Sequence, residues 1–214
     1  MTLLYVSTSI RPDGSTSRDL AETFLESWRQ THPHDTVVHR DLGAAPLPHL
    51  SLVEVTASMT DPRELTPEQA QAQELGRELA AEFVGADAYL IATPMYNWSI
   101  PSALKAWLDR LLLQPNVWQT EKVAAGRPAV ILMAKGGAYG PGTPRADWDY
   151  AEPYLRRIFG EVLGLDATFI SAELTLAGVS PALAGLEDER DESARKAHEA
   201  AAEHARRLAA LRAA

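Results

Sequence analysis

The sequence predicts an α/β domain built around a five-stranded, mainly parallel sheet. Short apolar or β-branched segments alternate along the chain with helical periodicities, which is the pattern of a sheet whose strands are joined by helices. Two of these segments, residues 88–94 and 128–134, are almost continuously apolar, as expected of strands that helices cover on both faces. The predicted strands are residues 3–9, 36–42, 88–94, 128–134 and 166–173.

Two helices are predicted in the first half of the chain. The first begins at Ser17, which we expect to be its N-cap, and apolar residues recur every three to four positions from Leu20 to Trp28. The second runs from the N-cap Thr66 to about Phe83, because Thr66 is followed by proline at the first helical position and then by an acidic residue.

Three further helices complete the alternation. One begins at Pro101 and carries an apolar stripe over residues 104–112, and the others span about 150–163 and about 186–211. The only long connection is residues 43–65, which contains three prolines and is predicted to be a loop. Connections of that length are usually functional or mobile.

Length and composition limit the function classes. The 214 residues suit a single domain over 1–214, and the contents of 46% hydrophobic and 23% charged residues are those of a globular protein. A net charge of −9 disfavours nucleic acid as a partner, and the absence of cysteine excludes disulfides and thiolate chemistry. The six histidines form no H-E-x-x-H motif, so no metal site is expected. With no basic leader and no apolar run near the roughly 20 residues of a membrane span, we expect a cytoplasmic protein that binds no membrane.

The loop after the first strand is a candidate phosphate site. It carries hydroxyl groups and a glycine and leads directly into a helix, whose N-terminus offers unpaired N–H groups. The alternative is that these hydroxyls only cap the helix and shape the turn. The loop lacks both G-x-G-x-x-G and G-x-x-x-x-G-K-[ST], which leaves a mononucleotide phosphate. The candidate residues are Ser9, Arg11, Ser15, Thr16 and Ser17.

The loop after the third strand offers a surface for a flat ring. It supplies two aromatic side chains, a thioether and an amide, which provide stacking area and edge hydrogen bonds for a heteroaromatic ligand. The alternative is that the aromatic side chains belong to the core. The candidate residues are Pro94, Met95, Tyr96, Asn97 and Trp98.

The loop after the fourth strand is rich in glycine, so its backbone N–H groups can approach the carbonyl edge of a ring closely. The alternative is a tight turn without a ligand. The candidate residues are Ala134, Lys135, Gly136, Gly137 and Tyr139. In a sheet of order 2-1-3-4-5 the three loops lie side by side where the strand order reverses, which is where such sheets bind ligands.

These residues resemble the FMN-dependent NADH-azoreductase and NAD(P)H:quinone oxidoreductase family of flavodoxin-like enzymes. The resemblance covers nearly the whole chain and is most specific over residues 92–98, Ala-Thr-Pro-Met-Tyr-Asn-Trp. Weaker matches are Ser9, residues 15–17, 40–42, 65–67, 135–137 and 153–155. The resemblance implies a flavodoxin-like three-layer sandwich.

The resemblance also implies a mechanism. FMN would be bound non-covalently, with its phosphate on Ser9 and residues 15–17 and its ring between residues 95–98 and 134–137. NADH or NADPH would donate electrons, and a quinone, an azo compound or another conjugated acceptor would receive them in ping-pong two-electron (hydride) transfer. The protein would be a homodimer with the flavin site at the interface, and the cofactor would perform the chemistry.

Two side chains are given hypothetical roles at the flavin ring. We expect Asn97 to hydrogen-bond the ring near N5, while no other side chain is assigned to catalysis. Lys135 would stabilise negative charge on the reduced ring at N1 and O2. The alternative is that Lys135 faces solvent.

Two departures from the family leave the acceptor open. Residues 116–126 are shorter than the corresponding family segment, and Glu161 follows Gly160 where the family tends to have phenylalanine. A second hypothesis is therefore a repurposed flavoprotein that reduces or isomerises an unsaturated biosynthetic intermediate. A third is an electron carrier of the flavodoxin type.

Overall fold

The computed structural model describes residues 1–118 and 122–210. A five-stranded sheet forms the centre, and every neighbouring pair of its strands is parallel. The strand order is β2-β1-β3-β4-β5, which confirms the predicted order 2-1-3-4-5. The strands are β1 (Thr2–Ser7), β2 (Thr36–Asp41), β3 (Ala88–Pro94), β4 (Pro128–Ala134) and β5 (Asp166–Ala172).

Helices connect the strands as predicted. The helix predicted over 150–163 is a short α-helix that continues as a π-helix over Arg156–Val162. The predicted end of the last helix, residue 211, lies outside the described residues. The helices are α1 (Thr16–Thr31), α2 (Leu52–Ser58), α3 (Pro67–Gly85), α4 (Ser102–Leu112), α5 (Pro115–Trp118), α6 (Glu152–Leu155) and α7 (Glu187–Ala210).

Capping explains one confirmed helix start and two differences from the prediction. Thr66 caps α3 through a reciprocal pair of hydrogen bonds with Gln69, as its position predicted. The N-cap of α1 is Ser15 and not Ser17, because the backbone is still extended at Ser15 and helical from the next residue. Within the predicted loop 43–65, α2 forms because Ser51 and Glu54 make a second capping box.

The core lies on both faces of the sheet. Along β3, Tyr89 and Ile91 pack on the side of α3 and α4, while Leu90 packs on the side of α1 and α7. Strand β3 is therefore almost continuously apolar, with Thr93 as its one polar residue, because helices cover both of its faces. Trp107 and Trp28, each fully buried, fill the two layers, and truncating either to alanine would cost about 3–5 kcal/mol.

Within residues 1–118 and 122–210, no helix has both the length and the apolarity needed to cross a membrane. Nor does that part of the chain gather three or more histidine, cysteine, aspartate or glutamate side chains that could hold a metal ion.

Candidate functional site

A cleft of about 370 Å³ opens at the carboxyl ends of β1, β3 and β4. All three predicted loops contribute to it, because the strand order places them side by side. The predicted residues that line it are Ser9, Arg11, Ser15, Thr16, Ser17, Pro94, Met95, Tyr96, Ala134 and Gly136. Gly14, Thr175 and Leu176 also line the cleft and were not predicted.

One end of the cleft has the donors that a phosphate requires. The hydroxyl of Ser15 makes no capping bond to α1 and lies 3.4 Å from the hydroxyl of Ser17, so both remain available to a ligand. The first N–H groups of α1 lack intrahelical partners and point the same way. Arg11 adds a guanidinium that forms no ion pair with any residue the structure describes, and no carboxylate lines the cleft there. This end fits a dianionic group.

An ion pair supports the loop that follows β1. Arg18 makes two 2.8 Å hydrogen bonds to the carboxylate of Asp41 and donates a third, also 2.8 Å, to the carbonyl oxygen of Ser9. The hydrogen bonds from Arg18 hold the pKa of Asp41 well below its usual range, and the backbone N–H of Ala44 acts in the same direction. Neither charged residue was predicted to belong to the site, since 22 intervening positions separate them and no motif links them.

The other end of the cleft is built on a strained turn. The N–H of Tyr96 donates to the carbonyl of Ser99 at 2.9 Å, and the reverse bond measures 3.0 Å. Asn97 and Trp98 between them have φ values of 48° and 64°, as in a type I′ turn. A left-handed conformation costs a residue such as tryptophan about 1–2 kcal/mol, and strain of this kind concentrates at functional sites.

The glycine-rich loop offers backbone donors to the same end. Among the described residues, the N–H groups of Gly136 and Gly137 donate to no backbone carbonyl. The segment after β5 packs on this loop, because the N–H of Leu176 donates to the carbonyl of Gly136 at 3.1 Å. A Cβ on Gly136 would lie 2.8 Å from the Cδ1 atom of Leu176, so a larger residue here would have to displace that exposed side chain.

Lys135 is turned away from the cleft. Its ammonium lies 2.8 Å from Asp149 and 2.7 Å from Glu152, and its side chain is only 5% exposed, so the solvent-facing alternative is wrong. Burial opposes the charged form, but hydrogen bonds to the two carboxylates raise the pKa of Lys135 above its usual value. A third carboxylate, Glu173, is 3.9 Å away.

A second cavity of about 590 Å³ adjoins the cleft and shares Tyr96 with it. Asn97 lines this second cavity and is not among the residues that line the cleft. The polar groups that line it are phenols, hydroxyls, an amide, an imidazole and an ammonium, all of which can donate hydrogen bonds. The lining residues are His49, Tyr96, Asn97, Ser99, Ile100, Ser102, Lys105, Tyr150 and Tyr154.

The remaining predicted residues lie beside these spaces. Trp98 packs edge-on against Trp148, with ring centroids 5.4 Å apart, and neither Gly137 nor Tyr139 lines the cleft or the second cavity. Glu161 pairs with Arg157 at the surface and lines neither space. Of the short segment 116–126, residues 119–121 lie outside the described residues.

Comparison with known proteins agrees with this geometry. A family model described as flavodoxin-like fold matches residues 1–208. The chain belongs to this family. A protein of Streptomyces avermitilis named FMN-dependent NADH:quinone oxidoreductase is 43% identical over 210 residues, covering 97% of each chain. Another of the same name, from Parafrankia sp., is 42% identical over 95% of this chain and 98% of its own.

A solved structure supports the fold independently. The azoreductase from Bacillus anthracis str. Sterne superposes with a TM-score of 0.82 at 26% sequence identity, covering 96% of this chain and 98% of that one. The resemblance drawn from the loop motifs and the flavodoxin-like sandwich are both confirmed.

Proposed function

We propose that the protein is an FMN-dependent NADH:quinone oxidoreductase that also reduces azo compounds. The observation that carries this proposal is the single cleft in which an anion-binding end and a ring-sized end meet. The family relatives that bear this activity in their names cover nearly the whole chain, which supports the same conclusion. When bound, FMN supplies the redox chemistry, accepting electrons from the nicotinamide and passing them to the acceptor.

The chain's own residues would bind and orient the cofactor. The hydroxyls of Ser9, Ser15 and Ser17 and the N-terminus of α1 would hold the phosphate, with Arg11 adding charge. At the ring end, Met95 and Tyr96 supply apolar surface, and the free N–H of Gly136 is a donor for a carbonyl edge.

The second cavity would receive the acceptor. Its donors match the carbonyl oxygens of a quinone, and its shared wall at Tyr96 places it next to the flavin cleft. No nucleophilic side chain is required, because electron transfer through the flavin splits the reaction into two half-reactions, giving ping-pong kinetics. Asn97 follows Tyr96, which lines both spaces, and we predict that the Asn97 amide hydrogen-bonds the ring near N5 from the second cavity.

We further propose that two copies of this single-domain chain form a homodimer with the site at their interface, in the cytoplasm where NADH is available. Three aromatic side chains near the second cavity are exposed and would be covered by a partner: Trp98, Trp148 and Tyr150 are 40%, 46% and 65% accessible. Light scattering coupled to size exclusion measures the mass directly. A monomeric mass at micromolar concentration would contradict the dimer.

Flavin reduction tests the proposed activity. The protein is reconstituted with FMN, desalted and mixed with NADH without oxygen, and menadione is then added. We expect retained flavin absorption that bleaches with NADH and returns with menadione. Retained flavin that NADH does not bleach would favour the carrier or a redox-neutral isomerase, and no retained flavin would contradict the proposal.

A serine variant tests the phosphate site. Ser15→Ala removes a hydrogen bond to a charged group, worth about 1.5–3 kcal/mol, so the Kd for FMN is expected to rise about 10–100-fold. Riboflavin, which lacks the phosphate, is the matched control ligand and its Kd is expected to change little. Equal weakening of both ligands would contradict the assignment.

A further inference from the structure

Residues 146–152, here called the strap, connect the two loops at the ring end of the site. The strap follows the glycine-rich loop in sequence and contains a 3-10 turn, Ala146–Trp148, and the start of α6. One part of it contacts Lys135, directly after β4, and another contacts the turn around Trp98, after β3. It therefore joins the segments that follow β3 and β4, and one of its residues, Tyr150, lines the second cavity.

The contact with Lys135 is preorganised. One carboxylate oxygen of Asp149 accepts the backbone N–H groups of Ala151 and Glu152, both at 2.9 Å, and this fixes the side chain at the start of α6. The other oxygen lies 2.8 Å from the Lys135 ammonium, and Glu152 adds a second carboxylate at 2.7 Å. The Lys135 and Asp149 side chains are 5% and 12% exposed, so water offers little competition.

The contact with the turn is made through Tyr150 and Trp148. The N–H of Tyr150 donates to the carbonyl of Trp98 at 3.0 Å, and the Trp148 ring packs edge-on against the Trp98 ring. This carbonyl belongs to a residue held in a left-handed conformation, so the strap supports a strained turn. The Tyr150 side chain itself lines the second cavity, as does Tyr96.

We propose that Lys135 is a positioning residue for the electron acceptor, acting through the strap. Its ammonium fixes Asp149 and Glu152, which keeps Tyr150 in place as a wall of the second cavity and holds the turn at Trp98. The inference rests on the proposed function, because it takes that cavity as the acceptor site. It differs from a direct role of Lys135 at the flavin ring, since the ammonium is committed to carboxylates outside the cleft.

Two half-reactions separate these roles. In FMN-loaded Lys135→Met the KM for menadione is expected to rise about tenfold or more, since wall contacts to the acceptor are lost. The rate at which NADH reduces the bound flavin is expected to stay within about threefold, because the flavin contacts remain. Lys196→Met is the matched control: it removes a lysine of α7 that pairs with Glu192 at 3.2 Å on the surface, and it should change neither quantity.

A second variant and a structural readout keep the test independent of folding and of activity. Asp149→Asn keeps an oxygen for the two backbone N–H groups but removes the charge through which Lys135 holds Asp149, so it should reproduce the rise in KM. Hydrogen exchange at the Tyr150 amide should accelerate in both variants while exchange in α7 is unchanged.

Each outcome has a defined meaning. Unchanged KM together with unchanged Tyr150 exchange would overturn the proposal, and so would a slower NADH half-reaction at constant KM, which would place Lys135 at the flavin. If Lys135→Met does not fold, Asp149→Asn decides alone. If NADH does not reduce flavin in the unmodified protein, the proposed function fails, while accelerated Tyr150 exchange would still show that Lys135 holds the strap.

Discussion

Gly43 lies where the segment after β2 packs against Ser9 in the loop that follows β1, and replacing it with alanine should disturb that loop. An ideal Cβ at this position would overlap the carbonyl oxygen of Ser9, lie 2.6 Å from its carbonyl carbon and lie 2.9 Å from a guanidinium nitrogen of Arg18. The first two neighbours are backbone atoms, so relief requires the loop or the strand end to move. The same movement would break the bond that Arg18 donates to the Ser9 carbonyl.

The expected cost follows from these contacts. Forcing a methyl group into a packed region costs about 1–3 kcal/mol. A lost hydrogen bond from a charged donor adds about 1.5–3 kcal/mol. A combined destabilisation of about 3 kcal/mol corresponds to a fall in Tm of about 6–12 °C for a chain of this length. Because Ser9 lines the cleft, the Kd for FMN should rise about tenfold or more.

Thermal unfolding followed by circular dichroism, with and without FMN, measures this effect. Gly85→Ala is the matched control, because Gly85 ends α3 and a Cβ there meets nothing within 4 Å. Alanine should stabilise that helix by about 0.5–1 kcal/mol. If Gly43→Ala leaves both the Tm and the Kd for FMN unchanged, the close packing of Gly43 on Ser9 does not hold.

Three further predictions concern two ion pairs and the strained turn. Asp41→Asn should lower the Tm at pH 7 by about 4–8 °C, since Arg18 loses a partly buried ion pair worth about 2 kcal/mol. The pKa of Asp41 is depressed in the folded protein, so the stability that the ion pair contributes is present above the ordinary pKa of an aspartate and is lost as the pH falls. The difference in Tm between Asp41→Asn and the unmodified protein should therefore narrow between about pH 5 and pH 2. A constant difference would refute the linkage. Asn97→Gly should keep the left-handed turn and the Tm but slow the reduction of flavin by NADH in a stopped-flow measurement. Asn97→Ala should slow the same step and also lower the Tm by about 2–4 °C. An unchanged reduction rate in both variants would exclude a role for the amide. Arg110→Met leaves the carboxylate of Glu54 without its cationic partner, so the Tm should fall by about 6 °C or more. Adding Glu54→Gln to the same chain should recover part of that loss, and no recovery would refute the pairing.

Local signals in the sequence determined the order of the secondary structure and the position of the loops that carry the site. The apolar runs of β3 and β4 identify central strands because helices cover them on both faces. The Thr66 cap followed by proline located the start of α3, because capping is decided within four residues of chain. The same kind of signal at Ser51 and Glu54 predicts α2 and was overlooked among the prolines of that segment.

The Met-Tyr-Asn-Trp stretch carried the most specific part of the resemblance to the family, and the match of the family model over residues 1–208 confirms that resemblance. Its turn was not predictable, since Asn-Trp lacks the glycine that usually marks a type I′ turn. The strain at Trp98 is sustained by the strap, which is 48 or more residues away in sequence.

Only the tertiary structure decided which charged side chains serve the site. Arg18 and Asp41 meet because β1 and β2 are neighbours, and Lys135 meets Asp149 because the chain folds back after the glycine-rich loop. Periodicity and propensity act over a few residues, whereas an ion pair depends on distances that the topology sets. The sequence by itself therefore determined the fold, the family and the position of the candidate binding loops, and the three-dimensional packing determined how those loops are held.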